Sequence, residues 1–199
     1  MKSVLSLFDY SGNWSNPWRV AGWKVYQIDI KHGQDILTID LDKYEDVDVI
    51  LAAPPCTDFS LSGAQYWKQK DSDGTTEQSK LLIVKTLEII AHYNPRIWAI
   101  ENPVGRLSKL FPMLGEAWYF NPYEYAGWSD IPIEEAYTKR TGLWGQFNIP
   151  TKKPVQPIRG NAPIMQYGGN SKHTKEMRSI TPQGFSRAFC DANLSGFVF

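Results

Sequence analysis

The segment Ala53-Pro54-Pro55-Cys56-Thr57-Asp58-Phe59-Ser60 brings one thiol out of an apolar run behind two prolines. Each proline fixes its own φ and lacks an N–H, so the pair makes a stiff arm that delivers Cys56 to a defined place. A thiol delivered in this way can act as a nucleophile where a nearby cation or a helix start lowers its pKa. The plainer role is a small buried apolar side chain, as for many free cysteines. Further along, Glu101 ends the apolar run of "WAIENP". A carboxyl at the edge of an apolar cleft loses hydration, holds its proton to higher pH and can serve as a general acid; an exposed strand end or a capping partner is the alternative. Asp29 closes "YQIDI", where an acid can accept from ribose hydroxyls. The chain has neither GxGxxG nor a P-loop, so NAD and ATP are not expected, whereas a nucleoside cofactor without phosphates stays open. His32, His92 and His173 lie in different segments without ligand spacing, and no metal is expected.

These groups need elements to hold them. Short apolar runs, "SVLSLFD", "WKVYQIDI" and "DVDVILAAPP", alternate with turn signals and read as strands of a mostly buried sheet. Between the first two, Ser11-Gly12 suits a tight turn and Asn16-Pro17 a helix start. The polar stretch Gln65 to Ser79 reads as a mobile loop. Thr75 or Thr76 is expected to cap a helix running to about Asn94, with Leu81, Val84, Leu87 and Ile90 or Ala91 on its apolar face. "PRIWAIENP" is the next buried strand and "TKRTGLWGQFNI" a later one, with irregular chain after Pro112. "TPQGFSRAFCDAN" forms a closing helix capped by Thr181 with Pro182 at its first position. Strands alternating with helices predict an α/β fold with a mostly parallel sheet and helices on both faces, and ligands at the carboxyl ends of the strands. Ser11-Gly12, Cys56 and Glu101 all fall at such ends.

Composition narrows the classes. A chain of 199 residues, 42% apolar and 21% charged, suits one globular domain over 1–199, and 14% aromatic residues with eight tryptophans provide stacking surfaces. Trp14, Trp18 and Trp67 are candidates for stacking on a ligand, or for plain packing. No apolar run approaches the roughly 20 residues of a membrane span, so no membrane partner is expected and a cytoplasmic setting is. Cys56 and Cys190 are read as reduced thiols. The formal net charge is zero, yet Thr151 to Arg178 holds six Lys or Arg against one acid, and Pro112 to Glu135 holds five acids and no Lys or Arg. The Pro-, Gly- and Lys-rich segment is an ordered recognition loop or a loose excursion.

The order of these signals resembles the cytosine-5 DNA methyltransferase family over most of residues 1 to 145. "LFDYSG" resembles the family's Phe-Ser-Gly turn with two inserted residues, and Asp29 its acid after the second strand. "QDILTI" looks like the Asp-Ile element, "APPCTDFS" the Pro-Pro-Cys-x-x-Phe-Ser segment, and "IENPVGRL" the Glu-Asn-Val segment with Pro103 in place of Val. "TKRTGLW" resembles the Gln-x-Arg-x-Arg strand, with Arg140 as the first Arg and Gly142 at the second. The resemblance implies a Rossmann-like S-adenosylmethionine-dependent methyltransferase fold. Catalysis would fall to Cys56, Glu101 and Arg140, and cofactor binding to Phe8, Ser11, Gly12, Asp29, Asp35, Ile36 and Pro54. The implied reaction is methyl transfer from S-adenosyl-L-methionine to C5 of cytosine in DNA through a covalent Cys56 adduct, on a base that is flipped out or single-stranded. Residues 62–79 would close over the target. Residues 148–179 would be a short basic recognition insert giving weak or short sequence specificity, and a separate subunit could supply recognition instead. An RNA cytosine methyltransferase, a modified cofactor, and an inactive cofactor- or nucleic-acid-binding protein are the other readings. The small size suits a phage or mobile element in a prokaryotic cell.

Overall fold

The computed structural model describes residues 1–157 and 179–194. In chain order the main elements are β1 Ser3–Leu7, α1 Asn16–Val20, β2 Lys24–Ile28, β3 Val47–Ala52, α2 Trp67–Ser72, α3 Thr75–Tyr93 and β4 Ile97–Pro103. Then come α4 Leu107–Leu110, β5 Trp118–Phe120, α5 Pro132–Glu135, β6 Thr141–Gln146 and α6 Gln183–Asn193. One six-stranded sheet runs β2-β1-β3-β4-β6-β5. The first four strands are mutually parallel; β6 runs antiparallel to β4, and β5 antiparallel to β6.

The expected α/β sheet with helices on both faces is therefore the fold. Strand alternation divides the apolar residues between two layers. Val4, Val49, Leu51, Ile97, Ala99 and Leu143 meet Trp14, Trp18 of α1, and Phe185 and Phe189 of α6. Leu5, Leu7, Ile50, Ala52, Ile100 and Trp144 meet Ile83 and Ile89 of α3 on the other face. Trp14 and Trp18 are thus packing residues, edge-on to Phe189 and Trp23.

Several local expectations change. In α3 the buried positions are Ile83, Thr86 and Ile89, while Leu81 and Val84 are 55% and 42% exposed. Leu87 and Ile90 pack against the core as expected, and apolar residues occur all round this helix, so periodicity alone does not single out its buried face. Its N-cap is Gly74 at φ 81, and the carboxylate of Asp73 accepts from the Thr75 N–H. The stretch after Pro112, expected to be irregular, contributes β5. The N-cap of α6 is Pro182, not Thr181; Glu135 reaches across from α5 to accept from Gln183 N and Gly184 N at 2.5 and 2.7 Å. A carboxylate at a helix N-terminus satisfies amides that the helix itself leaves without acceptors.

Residues 65–79 are not a loop. A 3-10 turn over Leu61–Tyr66 runs into α2, and α3 begins three residues after α2 ends. Of the predicted insert 148–179, residues 148–157 and 179 are described and the rest lie outside the described residues. The described part lies against the acidic stretch: Lys153 N donates to Glu124 O, Val155 N to Tyr123 O, and Lys152 Nζ to Glu124 Oε1 at 2.6 Å. Lys153 also sits over the Trp128 ring. Part of the charge asymmetry along the chain is thus paired off at the surface. No helix among the described residues is long and apolar enough to cross a membrane.

The α6 face is closed by Phe185, fully buried and stacked on Phe120 with ring centroids 3.8 Å apart. Phe185→Ala is expected to lower the stability by about 3–5 kcal/mol, read from the midpoint of urea unfolding.

Candidate functional site

Sheet register starts the segments that carry Cys56 and Glu101 side by side. Ala52, the last residue of β3, pairs with Ile100 of β4, so the chain leaves β3 toward Cys56 beside the point where β4 presents Glu101. Beyond the sheet the two segments stay bonded. Ala53 N donates to Leu7 O at 3.1 Å, and the fully buried Asn102 donates from Nδ2 to Pro54 O at 3.1 Å. The carbonyl of Cys56 accepts from Phe59 N and Ser60 N at 3.0 and 2.9 Å, which closes the turn immediately after the thiol. Leu61 N donates to Val104 O, Arg106 N to Phe59 O, and Ser60 bridges Gly105. A Cβ at Gly105 would run into the carbonyl of Phe59, so only glycine permits this approach.

Glu101 is 8% exposed, and burial pushes its carboxyl above the ordinary range; Lys139 opposes that shift. Burial also pushes the Cys56 thiol up; Lys139 draws it down and the Glu101 charge raises it. The thiol and the carboxyl therefore lie in each other's field, and one ammonium acts on both. Tyr137, also buried, has its hydroxyl raised mainly by burial, with smaller contributions from Glu135 and Glu101.

The cation that acts on both groups is Lys139, the residue before Arg140. Directly opposed residues of an antiparallel pair share a face, and Glu101 opposes Leu143. Counting back by twos from Leu143 through Thr141 puts Lys139 on the Glu101 face and Arg140 on the other. Arg140 indeed lies over the ring of Tyr119, 4.4 Å from its centroid, and Tyr119 pairs with Gly142 on that opposite face.

The remaining predicted residues cluster at the carboxyl ends of β1 and β2. Phe8 has φ 60 and donates its N–H to Ile28 O at 2.8 Å, turning the chain sharply after β1. The turn is organised around a residue that the sequence reading missed. Asp9, buried, accepts on Oδ2 from Ser6 Oγ, Ser15 Oγ and Ser15 N at 2.8, 2.7 and 3.2 Å. A buried carboxylate needs such donors, and serines three residues before it and six after were the available signal. Gly12, at φ 72, carries the chain toward α1, with Asn16 N donating to its carbonyl. Gln27 of β2 donates from Nε2 to Asp9 O and Tyr10 O. Ser11 is exposed and its Oγ accepts from Asn13 N. Asp29 and Asp35 each use Oδ1 to cap a short 3-10 turn, accepting from Lys31 N and Leu37 N at 2.8 and 2.9 Å. Ile36 is buried in the core layer and Pro54 is buried beside Asn102.

This donor set fits an adenosyl group. Carboxylates beside β2 can accept from ribose hydroxyls, the half-buried Phe8 offers an apolar wall, and the turn through Gly12 brings backbone close without a side chain in the way. Trp67, the third candidate for ligand stacking, lies under the guanidinium of Arg106 instead, at 4.7 Å.

Comparison with known proteins agrees on the class of molecule. A family model described as C-5 cytosine-specific DNA methylase matches residues 3–110. A protein of Frog virus 3 (isolate Goorha), described as a probable DNA (cytosine-5)-methyltransferase, is 29% identical over 157 residues, covering 71% of this chain and 69% of its own. Among solved structures, a prophage-encoded DNA modification methyltransferase candidate of E. coli shows 16% identity and a TM-score of 0.46, over 79% of this chain and 53% of its own. The S. pombe Dnmt2 methyltransferase shows 16% identity and a TM-score of 0.40, over 86% and 57%. The chain spans little more than half the length of either solved protein.

Two measurements check the electrostatics. Lys139→Ala should slow alkylation of Cys56 by iodoacetamide at pH 8 by about threefold or more, because it removes the charge that favours thiolate; Arg140→Ala should leave the rate unchanged. Near pH 4 and below a carboxyl is mostly neutral in both folded and unfolded chains; as pH rises from there through the raised folded value the unfolded chain ionises first, so stability is lost across that window and stays lost above it. Glu101→Gln should therefore melt higher than the native protein at pH 8 and together with it near pH 4.

Proposed function

Since the chain belongs to the C-5 cytosine-specific DNA methylase family, whose model matches more than half of it, we propose that it methylates C5 of cytosine in DNA through a covalent Cys56 adduct. Methyltransferases of this family are S-adenosylmethionine-dependent. The observation that carries the proposal is the meeting of Cys56 and Glu101 at adjacent strand ends, with Lys139 acting on both.

When bound, S-adenosylmethionine supplies an electrophilic methyl group. The rest of the chemistry belongs to side chains of this protein. Cys56, as thiolate, forms a bond from Sγ to C6 of the cytosine. Glu101, whose burial favours the protonated form, gives a proton to N3, and the electron pair displaced from the C5–C6 double bond makes C5 nucleophilic. After C5 is methylated, its proton is lost to a base, the Sγ–C6 bond breaks, the double bond returns and N3 gives its proton back to Glu101. Lys139 favours the thiolate before attack and faces the negative charge left on Glu101 afterwards.

For the cofactor we propose Phe8, Ser11, Gly12, Asp29, Asp35, Ile36 and Pro54. Asp29 and Asp35 accept from hydroxyl and amine donors, the turn from Phe8 to Gly12 lies under the methyl donor, and Pro54 and Ile36 provide apolar contact. The target base must leave its stack to reach Cys56. DNA is favoured over RNA by the family description and by the viral relative's own description. Recognition by residues 148–179 or by a separate subunit belongs to the same proposal. The pairing of Lys152 with Glu124 of its own fold supports a small contact area and short sequence specificity.

Incubation with tritiated S-adenosylmethionine and DNA should label cytosine C5, and Cys56→Ala should lower the rate by at least about 1,000-fold. DNA carrying 5-fluorocytosine should trap a covalent complex with the native protein and none with Cys56→Ala. Label that persists in the variant, or that enters RNA alone, contradicts the proposal.

A further inference from the structure

The chemistry above does not use the most heavily bonded side chain beside the site. Arg106, 9% exposed, stands three residues beyond the end of β4. Its Nε donates to the carbonyl of Asp58 at 2.9 Å. Nη1 and Nη2 donate to the two oxygens of Asp71 at 2.8 Å each, and Nη2 also to Thr76 Oγ1 at 3.0 Å. The face of the guanidinium lies over Trp67. One planar group thus joins the turn after Cys56, helix α2 and the start of α3. A lysine, with a single point charge and no fork, could not satisfy these directions together.

The segment it grips is the one that carries the thiol. Residues 56–60 form one hydrogen-bonded turn closed on the Cys56 carbonyl, and Arg106 holds that turn by side chain at Asp58 O and by backbone at Phe59 O. A second tie runs in parallel. Asp58, 3% exposed, binds Lys70 Nζ and Ser79 Oγ. Consecutive residues of α2 therefore reach to opposite partners, Lys70 to Asp58 and Asp71 to Arg106. Asp71 is half-exposed, and Arg106 and Thr76 hold its carboxyl down to about 2, so the pair persists at any neutral pH.

The geometry points to Arg106 as a positioning residue for the transfer: through Asp71 and the Asp58 carbonyl it fixes the Cys56 turn against β4 and holds α2 as a wall beside the thiol. The assignment rests on Cys56 being the nucleophile. A nucleophile must meet C6 while Glu101 reaches N3 of the same ring, and an error of about 1 Å in such an arrangement can cost about 100-fold in rate.

The test uses Asp71→Asn, which alters a half-exposed partner and spares the buried arginine, together with Arg106→Lys. Three quantities are measured on the full chain: iodoacetamide alkylation of Cys56 with buried Cys190 as internal reference, the rate of adduct formation with 5-fluorocytosine DNA, and the dissociation constant for S-adenosylmethionine. Positioning predicts that in both variants alkylation of Cys56 rises about tenfold, because the turn loosens, while adduct formation falls about tenfold and cofactor affinity holds within about twofold. Alkylation and adduct rates within about twofold of the native protein in Asp71→Asn would overturn the assignment, as would a parallel loss of cofactor affinity. A native protein that forms no adduct overturns the methyl-transfer reading instead, and the alkylation arm still decides the positioning.

Discussion

The arrangement depends on a backbone constraint: the chain leaving β3 and the chain leaving β4 continue to bond to each other after the sheet has ended. Asn102 reaches Pro54, Leu61 reaches Val104, and Arg106 reaches Phe59, with Gly105 pressed against the Phe59 carbonyl. Strand ends in a parallel sheet ordinarily diverge into separate loops. Here they form a short antiparallel continuation, and this allows a thiol on one segment to share an environment with a carboxyl on the other. Glycine at 105 is a backbone requirement, and the Pro54 carbonyl serves as an acceptor, so motif residues around Cys56 and Glu101 include some that do no chemistry.

Burial then sets the character of the two groups. β4 is buried along most of its length because helical layers cover both faces of the sheet, so Glu101, near its carboxyl end, sits in a poorly hydrated place. The same desolvation raises the thiol of Cys56, an unfavourable direction for a nucleophile, and Lys139 acts against it. Burial raises both groups, the thiol as well as the carboxyl, and Lys139 opposes both shifts; by exposure Glu101 is the more deeply buried and Cys56 only partly so.

The positions of Cys56 and Glu101 were legible in the sequence because each closes an apolar run, and a run of that length can only be a buried strand. Asp29 was legible for the same reason. What failed was anything that turned on a single residue of phase. Motif position pointed to Arg140 and gave no sign of Lys139, because a step of one residue along a strand exchanges the two faces. Leu81 and Val84 in α3 were misplaced by the same kind of error. Residues 65–79 looked like a loop because their composition is polar. Their order comes from Arg106 and Asp58, whose partners lie 12 to 35 positions away and leave no local periodicity to find. Asp9 and Glu135 were invisible on similar grounds: each is an acid whose purpose is set by donors brought to it by folding.

The ion pair between Lys152 and Glu124 has a consequence for how this chain would meet a polyanion. Binding to a phosphate backbone is driven largely by the entropy of counterions set free, one for roughly each cation that replaces them. A lysine already matched to a carboxylate of its own fold releases few ions on association. In the proposed binding to DNA, Lys152 should accordingly add less to the dependence on ionic strength than an unpaired lysine would.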